Sequence, residues 1–431
     1  MEFEVAENNH CLRLLNWDKF VAEKVVSNKN HDTVLLFVTF NQSKEACILL
    51  DYLISNAKKQ YDILILDNAS ERAHWDALCD KTVGQYGINL IRTVDNLGGG
   101  GGYAVALEWA MSKDYDFILV TEDDAIAQQP DLVDKMLLRR DKSKIITVMY
   151  ENVGMSSFTL HFTLYPYSII QAAGVPDPRF FMIHDDLEYS KRHELACERI
   201  GVRYECIQEL AYWHPTLKPK GKIWTEYFDI RNSLALQIKY GDFISYNFSI
   251  LSKLPYAYSR WLFDNDISSL NALLNGFCDF LFNRFGYQLN KIKLKKFRKV
   301  QPKIPLMSSK WYDVENIRKM DYDGILSATL RRFIGINCKY LTLVNKILFN
   351  KATLVSSGYL SFWHPFLVLA KKVIFIEEIS LDNKRGKIKI WTNHHHFRRL
   401  KFLFVVIMSI ITGIIMIPFL GIKYLSNKLC A

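Results

Sequence analysis

Several kinds of protein are made improbable by what this sequence lacks. Its 8 cysteines (Cys11, Cys47, Cys79, Cys197, Cys206, Cys278, Cys338 and Cys430) are scattered and never form a C-x-x-C pair. That spacing argues against a disulfide framework and against a zinc site, and fits a reducing compartment. The first 30 residues hold no apolar core of signal-peptide length, so export is not expected. There is no G-x-G-x-x-G, and the chain's glycine run is not followed by the Lys-Ser/Thr pair of a P-loop. No nucleic-acid-binding motif accompanies the basic stretches, so no nucleic-acid partner is expected.

What remains is a chain of 431 residues, 49% apolar, long enough to bury a large core in two or three units. Its net charge of +10 fits an anionic partner such as a nucleotide or a lipid headgroup. Near the C-terminus, residues 402–422 form an uncharged run that as a helix would extend about 31 Å, close to the hydrocarbon thickness of a bilayer. Arg398, Arg399 and Lys401 precede that run, with Lys384, Arg385, Lys387 and Lys389 further upstream, whereas only Lys423 and Lys428 follow. Length and charge together predict a single-pass helix in the cytoplasmic (inner) membrane, with the large N-terminal part facing the cytoplasm.

The N-terminal half alternates short apolar runs with helical spacing. Residues 34–38, 63–66, 88–92 and 116–124 read as strands; helical patterns pass through Ala46, Leu49, Leu50 and Leu53, around residues 75–79, and over residues 103–111. This rhythm predicts an α/β fold with a mostly parallel sheet covered on both faces. Each strand ends in polar residues that the topology would gather on one edge: Thr39 and Asn41, Asp67, Asp95 and Asn96, and finally Glu122, Asp123 and Asp124. Three carboxylates at the end of a buried strand are costly unless a cation sits on them, and oxygen ligands select Mg2+ or Mn2+. Asp67 is placed to accept hydrogen bonds from a base or ribose. The glycines 98–102 at the start of a helix would let backbone N–H groups approach a diphosphate.

Two further clusters follow. His184-Asp185-Asp186-Leu187-Glu188 opens a helical stretch in which Asp185 suits capping and Asp186 suits the first turn, where a carboxylate could act as general base toward a hydroxyl. His214, in the stiff Tyr-Trp-His-Pro turn at residues 212–215, could supply the nitrogen ligand that Mn2+ tolerates. Lys218, Lys220 and Lys222 stand next to it. Downstream, residues 270–284 have helical apolar spacing, and Lys291, Lys293, Lys295, Lys296, Arg298 and Lys299 form a basic run suited to an anionic membrane surface.

The motifs VTFNQ (38–42), LDNAS (66–70), DNLGGGGG (95–102), VTEDDA (120–125), FMIHDDLEYSKR (181–192), YWH (212–214) and YFDIRN (227–232) occur in an order that resembles the family 2 glycosyltransferases of GT-A fold. Within these the chain is most similar to the galactofuranosyltransferase and rhamnosyltransferase branch. The resemblance implies a Rossmann-like mixed sheet and inverting transfer of a sugar from a nucleotide-sugar donor, with a divalent cation, Mn2+ or Mg2+, as cofactor. It implies Glu122, Asp124 and His214 as metal ligands, with Asp123 near the ribose. Thr39, Asn41, Asp67, Asn96, Gly98 and Gly99 would lie around the donor, Asp186 would be the base, and Asp185 would stand beside it. Glu122 departs from the pattern, which usually has Asp at this position. UDP-galactofuranose is the implied donor, dTDP-rhamnose the alternative, and a lipid-linked or cell-surface glycan the implied acceptor. A membrane-tethered nucleotide-sugar-binding protein without catalysis is the reading from another class. The expected organisation is a lead-in over residues 1–30, a GT-A catalytic domain over 31–240 and a helical, basic, membrane-proximal region over 241–400. A transmembrane helix over 401–423 and a short tail over 424–431 complete it.

Overall fold

A computed structural model describes residues 3–8, 10–55, 60–150, 155–156, 160–214, 223–242, 250–251, 253–264, 267–298, 310–313, 324–325, 353–357, 372–379, 385–392 and 398–429. The chain divides into two compact units, one of Met1–His214 with Gly286–Asn290, the other of Pro215–Phe285 with Lys291–Ala431.

The first unit opens with β1 (Glu4–Asn8), β2 (Cys11–Leu15) and β3 (Val21–Val25). The alternating segment follows as β4 (Thr33–Thr39), α1 (Ser43–Ser55), β5 (Asp62–Asp67), α2 (Arg72–Thr82), β6 (Ile88–Thr93), α3 (Gly98–Met111) and β7 (Phe117–Glu122). Then come β8 (Ile126–Ala127), α4 (Leu132–Leu138), β9 (Lys144–Tyr150), β10 (Met155–Ser156), β11 (Thr163–Pro166), α5 (Tyr167–Ala173), α6 (Asp185–Ile200) and β12 (Arg203–Trp213).

Among the described residues these strands form a sheet in the order β3-β6-β5-β4-β7-β11-β9-β12-β8, with β10 paired to β9. Strands β6, β5, β4 and β7 run parallel, so their carboxyl ends meet on one edge, as the strand-tip residues predict. Strand β11 is antiparallel to β7, which makes the sheet mixed. Leu35, Phe37, Ile63, Ile65, Leu90 and Leu119 lie in one continuous core, each almost or wholly buried. The α/β class expected from the sequence is the one observed.

The first 30 residues do more than lead in. Strands β1 and β2 make an antiparallel hairpin, and β3 closes the sheet edge against β6. The hairpin is held by a buried acid on α3: Glu108 accepts from Arg13 Nε at 2.9 Å, Arg13 Nη2 at 2.7 Å and the Leu14 backbone N–H at 2.9 Å. Helix α3 is apolar or glycine over nearly its whole surface, and a helix of that kind must be covered on all sides. The N-terminal hairpin belongs to that cover.

In the second unit, α7 (Ile223–Tyr240), α8 (Leu254–Asp264), α9 (Ser268–Leu281), α10 (Tyr287–Arg298) and the long α11 (Arg398–Leu429) are helical, although the opening residues of α10 group with the first unit. Leu234, Leu254, Phe277, Phe280, Val405, Met416 and Leu420 share one core cluster. The helical region expected over 241–400 also contains β-structure. Strands β13 (Lys310–Asp313), β14 (Gly324–Ile325), β15 (Thr353–Ser357), β16 (Lys372–Ile379) and β17 (Arg385–Thr392) form a sheet ordered β13-β17-β16-β15-β14. The apolar stretch 354–376 therefore supplies strand β15 and the start of β16. Compact folding also breaks at His214, upstream of the boundary expected at residue 240.

Candidate active site

Strand register explains why four side chains meet at the acidic tip. Strand β7 ends at Glu122, and β11 pairs with it so that Thr163 faces Val120 and Leu164 faces Leu119. Two residues before Thr163, the same register puts His161 across from Glu122. Strand β12 pairs with β8, Trp213 facing Ile126, which brings His214 alongside Asp124. The result is a cluster of two imidazoles and two carboxylates. His214 Nε2 is 2.8 Å from Glu122 Oε2 and 3.0 Å from Asp124 Oδ1, while His161 Nε2 is 3.7 Å from Glu122 Oε1. Donor atoms of Glu122, His161 and His214 all lie within 4.8 Å of one another.

Electrostatics in the cluster follow from these distances. Burial works against charge on His214, but Asp124 and Glu122 share its Nε2 and raise its pKa to about 9. Burial also opposes charge on Glu122, yet His161 and His214 outweigh it and hold that carboxyl below its usual range. His161 is lowered, chiefly by burial, with His214 adding to the effect against the pull of Glu122. Its Nδ1 is buried without a hydrogen-bond partner, and the ring stacks on Tyr150 and Tyr212. Two anionic carboxylates around an imidazole nitrogen need either a proton or a cation between them. The donor set fits a divalent ion, and its nitrogens favour Mn2+ over Mg2+.

Asp185 and Asp186 open α6 after two left-handed residues, Ile183 and His184. Asp185 is buried, and burial first, then the neighbouring charges of Asp186 and Glu122, push its pKa well above the usual carboxylate range. Asp186 is half-buried; its Oδ1 accepts from the Leu187 N–H at 2.8 Å, and its charge reaches His161. Of the two, Asp186 is the more accessible carboxyl and Asp185 the buried one, the arrangement that a general base at Asp186 would require. Glu188 serves packing instead. It is fully buried and pairs with the equally buried Arg192 at 2.8 Å, whose other N–H groups donate to Ala173 O and Val175 O.

The other expected donor residues are distributed as follows. Asp67 is fully buried at the tip of β5, where Oδ2 accepts from the Ser70 N–H and lies 3.7 Å from Arg92 Nε, while Oδ1 has no partner. Thr39 Oγ1 is likewise buried without a partner. Asn41 is left-handed and accepts from the Glu71 N–H at 2.7 Å; Gln42 Nε2 donates to both oxygens of Asp123 at 3.1 Å. That engagement leaves Glu122, rather than Asp123, as the acid facing the histidines.

The glycines open a helix, as expected. All five are inside α3, and Asn96 Oδ1 accepts the Gly98 N–H at 2.8 Å, so that amide is already used; the Gly100 N–H goes to Phe181 O. At Gly98, Gly99 and Gly100 the lack of a side chain serves close packing against Asp177, Phe181 and Asp185. A Cβ on Gly98, whose φ is +73°, would lie 2.0 Å from Phe181 O, and one on Gly99 would lie 2.7 Å from Asp185 Oδ2. The close approach to Phe181 is thus made at Gly98 and the one to Asp185 at Gly99.

His161 is the site residue that the sequence reading missed. Only the β11 register brings it to Glu122, and an antiparallel return strand cannot be read from apolar periodicity. Lys218, Lys220, Lys222 and His394 to His396 lie outside the described residues. Tyr227 and Arg231 of α7 belong to the second unit, where the Arg231 guanidinium stacks on Tyr227, Phe228 and Phe285.

No protein-family model matches the sequence, and no curated protein matches it. Among solved structures, the chain is similar to a mannosyltransferase of Pyrobaculum calidifontis in complex with GDP-Man and Mn2+, at 11% identity and a TM-score of 0.40, over 62% of this chain and 92% of that one. It is also similar to residues 1–349 of S. aureus TarS in complex with UDP, at 13% identity and a TM-score of 0.37, over 62% and 89%. A third is GalNAc-T7 with UDP, GalNAc and Mn2+, at 10% identity and a TM-score of 0.35, over 50% and 53%. Likenesses this distant add nothing to what the site's own geometry says of donor or acceptor.

Proposed function

We propose that this chain is an inverting, metal-dependent glycosyltransferase that moves a sugar from a nucleotide-sugar donor to an acceptor hydroxyl. The observation that carries the reading is the convergence of Glu122, Asp124, His161 and His214 at the strand tips, within electrostatic reach of the Asp185-Asp186 pair. A divalent ion, when bound there, supplies the positive charge that stabilises a departing diphosphate. Glu122, Asp124, His161 and His214 would hold it. Thr39 and Asp67 at the tips of β4 and β5 offer buried, unpartnered oxygens toward the edge where a nucleoside would lie. Asp186 takes the acceptor hydroxyl's proton as that oxygen bonds to the anomeric carbon, and the bond from carbon to diphosphate breaks on the opposite face.

Within this reading the donor is UDP-galactofuranose, with dTDP-rhamnose as the alternative, and the acceptor is a lipid-linked or cell-surface glycan. An acceptor of that kind sits beside a membrane, and α11 is long and apolar enough to reach one. Purified protein incubated with a panel of radiolabelled nucleotide sugars and Mn2+ tests the proposal. Transfer or slow hydrolysis of one donor, lost on chelation, is expected. Tight donor binding with no turnover would favour the non-catalytic binding protein instead.

A further inference from the structure

The length of residues 402–422 and the basic residues ahead of them predict a helix that crosses the bilayer. Its packing points elsewhere. Among the described residues of α11 the buried positions are Val405, Ser409, Gly413, Met416 and Leu420, spaced four, four, three and four apart, which is a single stripe along one face. That stripe is laid lengthwise on the helices of its own unit. Near its start, Phe404 meets Trp261 of α8 with ring centroids 6.4 Å apart. In the middle, Thr412 hydrogen-bonds Tyr258, and Gly413 lies so close to Leu251 that a Cβ there would come within 2.7 Å of it. Toward the end, Lys423 Nζ donates to Asn283 Oδ1 at 2.7 Å and sits 5.9 Å from the centre of the Phe280 ring. From Phe404 to Lys423 the helix advances about 28 Å, and it is fastened to the same bundle at both ends and in between.

For α11 to cross a bilayer, this bundle would have to enter the hydrocarbon with it. The bundle is poorly suited to that. Asp279 is buried and accepts from the Tyr227 hydroxyl and from Lys293, and Asp229 pairs with Lys253 at 2.7 Å. Ionised side chains at membrane depth cost at least ~2.5 kcal/mol each. The opposite face of α11 is bare: Leu403, Ile407, Ile410, Ile414, Phe419 and Ile422 are each 45% to 68% exposed. Between Arg398 and the C-terminus there are 5 basic residues and no acidic one, and they stand on both sides of the apolar run. A helix lying along an anionic surface is served by basic residues at both ends.

We propose that α11 lies in the plane of one anionic bilayer leaflet, its bare apolar face among the acyl chains and its other face on the α8–α9 bundle, so that both ends of the helix stay on the same side of the membrane. This does not depend on the reaction the first unit performs. The test uses the full chain, tagged at both termini, in sealed membrane vesicles of known orientation treated with protease. Both tags are expected to be removed together in one orientation and protected together in the other. Removal of one tag with protection of the other in the same vesicles would establish a crossing and overturn the proposal. A second measurement uses Ile414→Glu/Ile415→Glu, which alters only exposed positions. Binding to phosphatidylglycerol-containing vesicles should fall by about tenfold or more with the thermal melt unchanged, since each lost side chain forfeits most of a tenfold in partitioning. Unchanged vesicle binding, or a soluble dimer that does not bind vesicles at all, would count against it.

Discussion

His214 Nε2 stands 2.8 Å from Glu122 Oε2; His214 directly follows β12 and Glu122 ends β7, and these strands are not neighbours in the sheet. The contact exists because β8 doubles back beside β12 and because α/β topology delivers strand tips to one edge. Glu122→Gln should weaken Mn2+ binding by at least about tenfold and reduce transfer accordingly, because one charged ligand is replaced by a neutral amide. Isothermal titration with Mn2+ reads the first effect, and excess Mn2+ should partly restore the second.

Asp186 is the accessible member of its pair and Asp185 the buried one, whose pKa burial raises. Asp186→Asn should retain donor binding and lose turnover by ~10²–10⁴-fold, the usual worth of a general base. Equilibrium binding of the nucleoside diphosphate, measured beside the rate, separates a lost base from a collapsed site.

Gly99→Ala pushes a methyl to within 2.7 Å of Asp185 Oδ2, although alanine is the better helix former. Turnover should drop by about tenfold or more while the melting temperature moves little or falls modestly. Gly286→Ala, where a methyl meets nothing within 4 Å, is the control and should leave the rate alone.

Glu188 stands two residues from Asp186 but has a structural part. Glu188→Ala would strand Arg192, fully buried, without its carboxylate. Breaking a buried pair in this way costs ~3–5 kcal/mol. Denaturant unfolding should show that loss, and Glu188→Ala with Arg192→Met should recover much of it.

His193 is buried between the rings of Tyr165 and Tyr189, neither ring nitrogen has a hydrogen-bond partner, and burial lowers its pKa to about 3. The unfolded chain takes up this proton near pH 6.5, the folded one only near 3. The neutral imidazole therefore favours the folded state fully above pH 6.5, and that advantage is lost as pH falls toward 3, up to ~5 kcal/mol in all. His193→Phe should flatten the fall in stability between pH 6.5 and 4, as followed by urea unfolding. Curves of equal slope would contradict it.

Local signals carried much of this architecture. Apolar runs of five or six residues ending in Thr39, Asp67 and Glu122 are strands because they are buried on both faces, and their polar tips share an edge because parallel strands must. What escaped depends on contacts distant in sequence. His161 reaches Glu122 only through an antiparallel register, Arg13 holds Glu108 across 95 positions, and the strands at residues 310–392 pair in an order that no local pattern encodes. The glycines were legible as special, but periodicity cannot show that a missing Cβ at Gly99 faces Asp185.

Electron paramagnetic resonance of Mn2+ added to the purified chain tests the central claim most directly. One tightly bound ion per chain is expected, with hyperfine coupling to imidazole nitrogen that weakens in His161→Ala and binding that is largely lost in His214→Ala. An absence of tight Mn2+ binding, or binding with no nitrogen coupling that both variants leave unaltered, would contradict it.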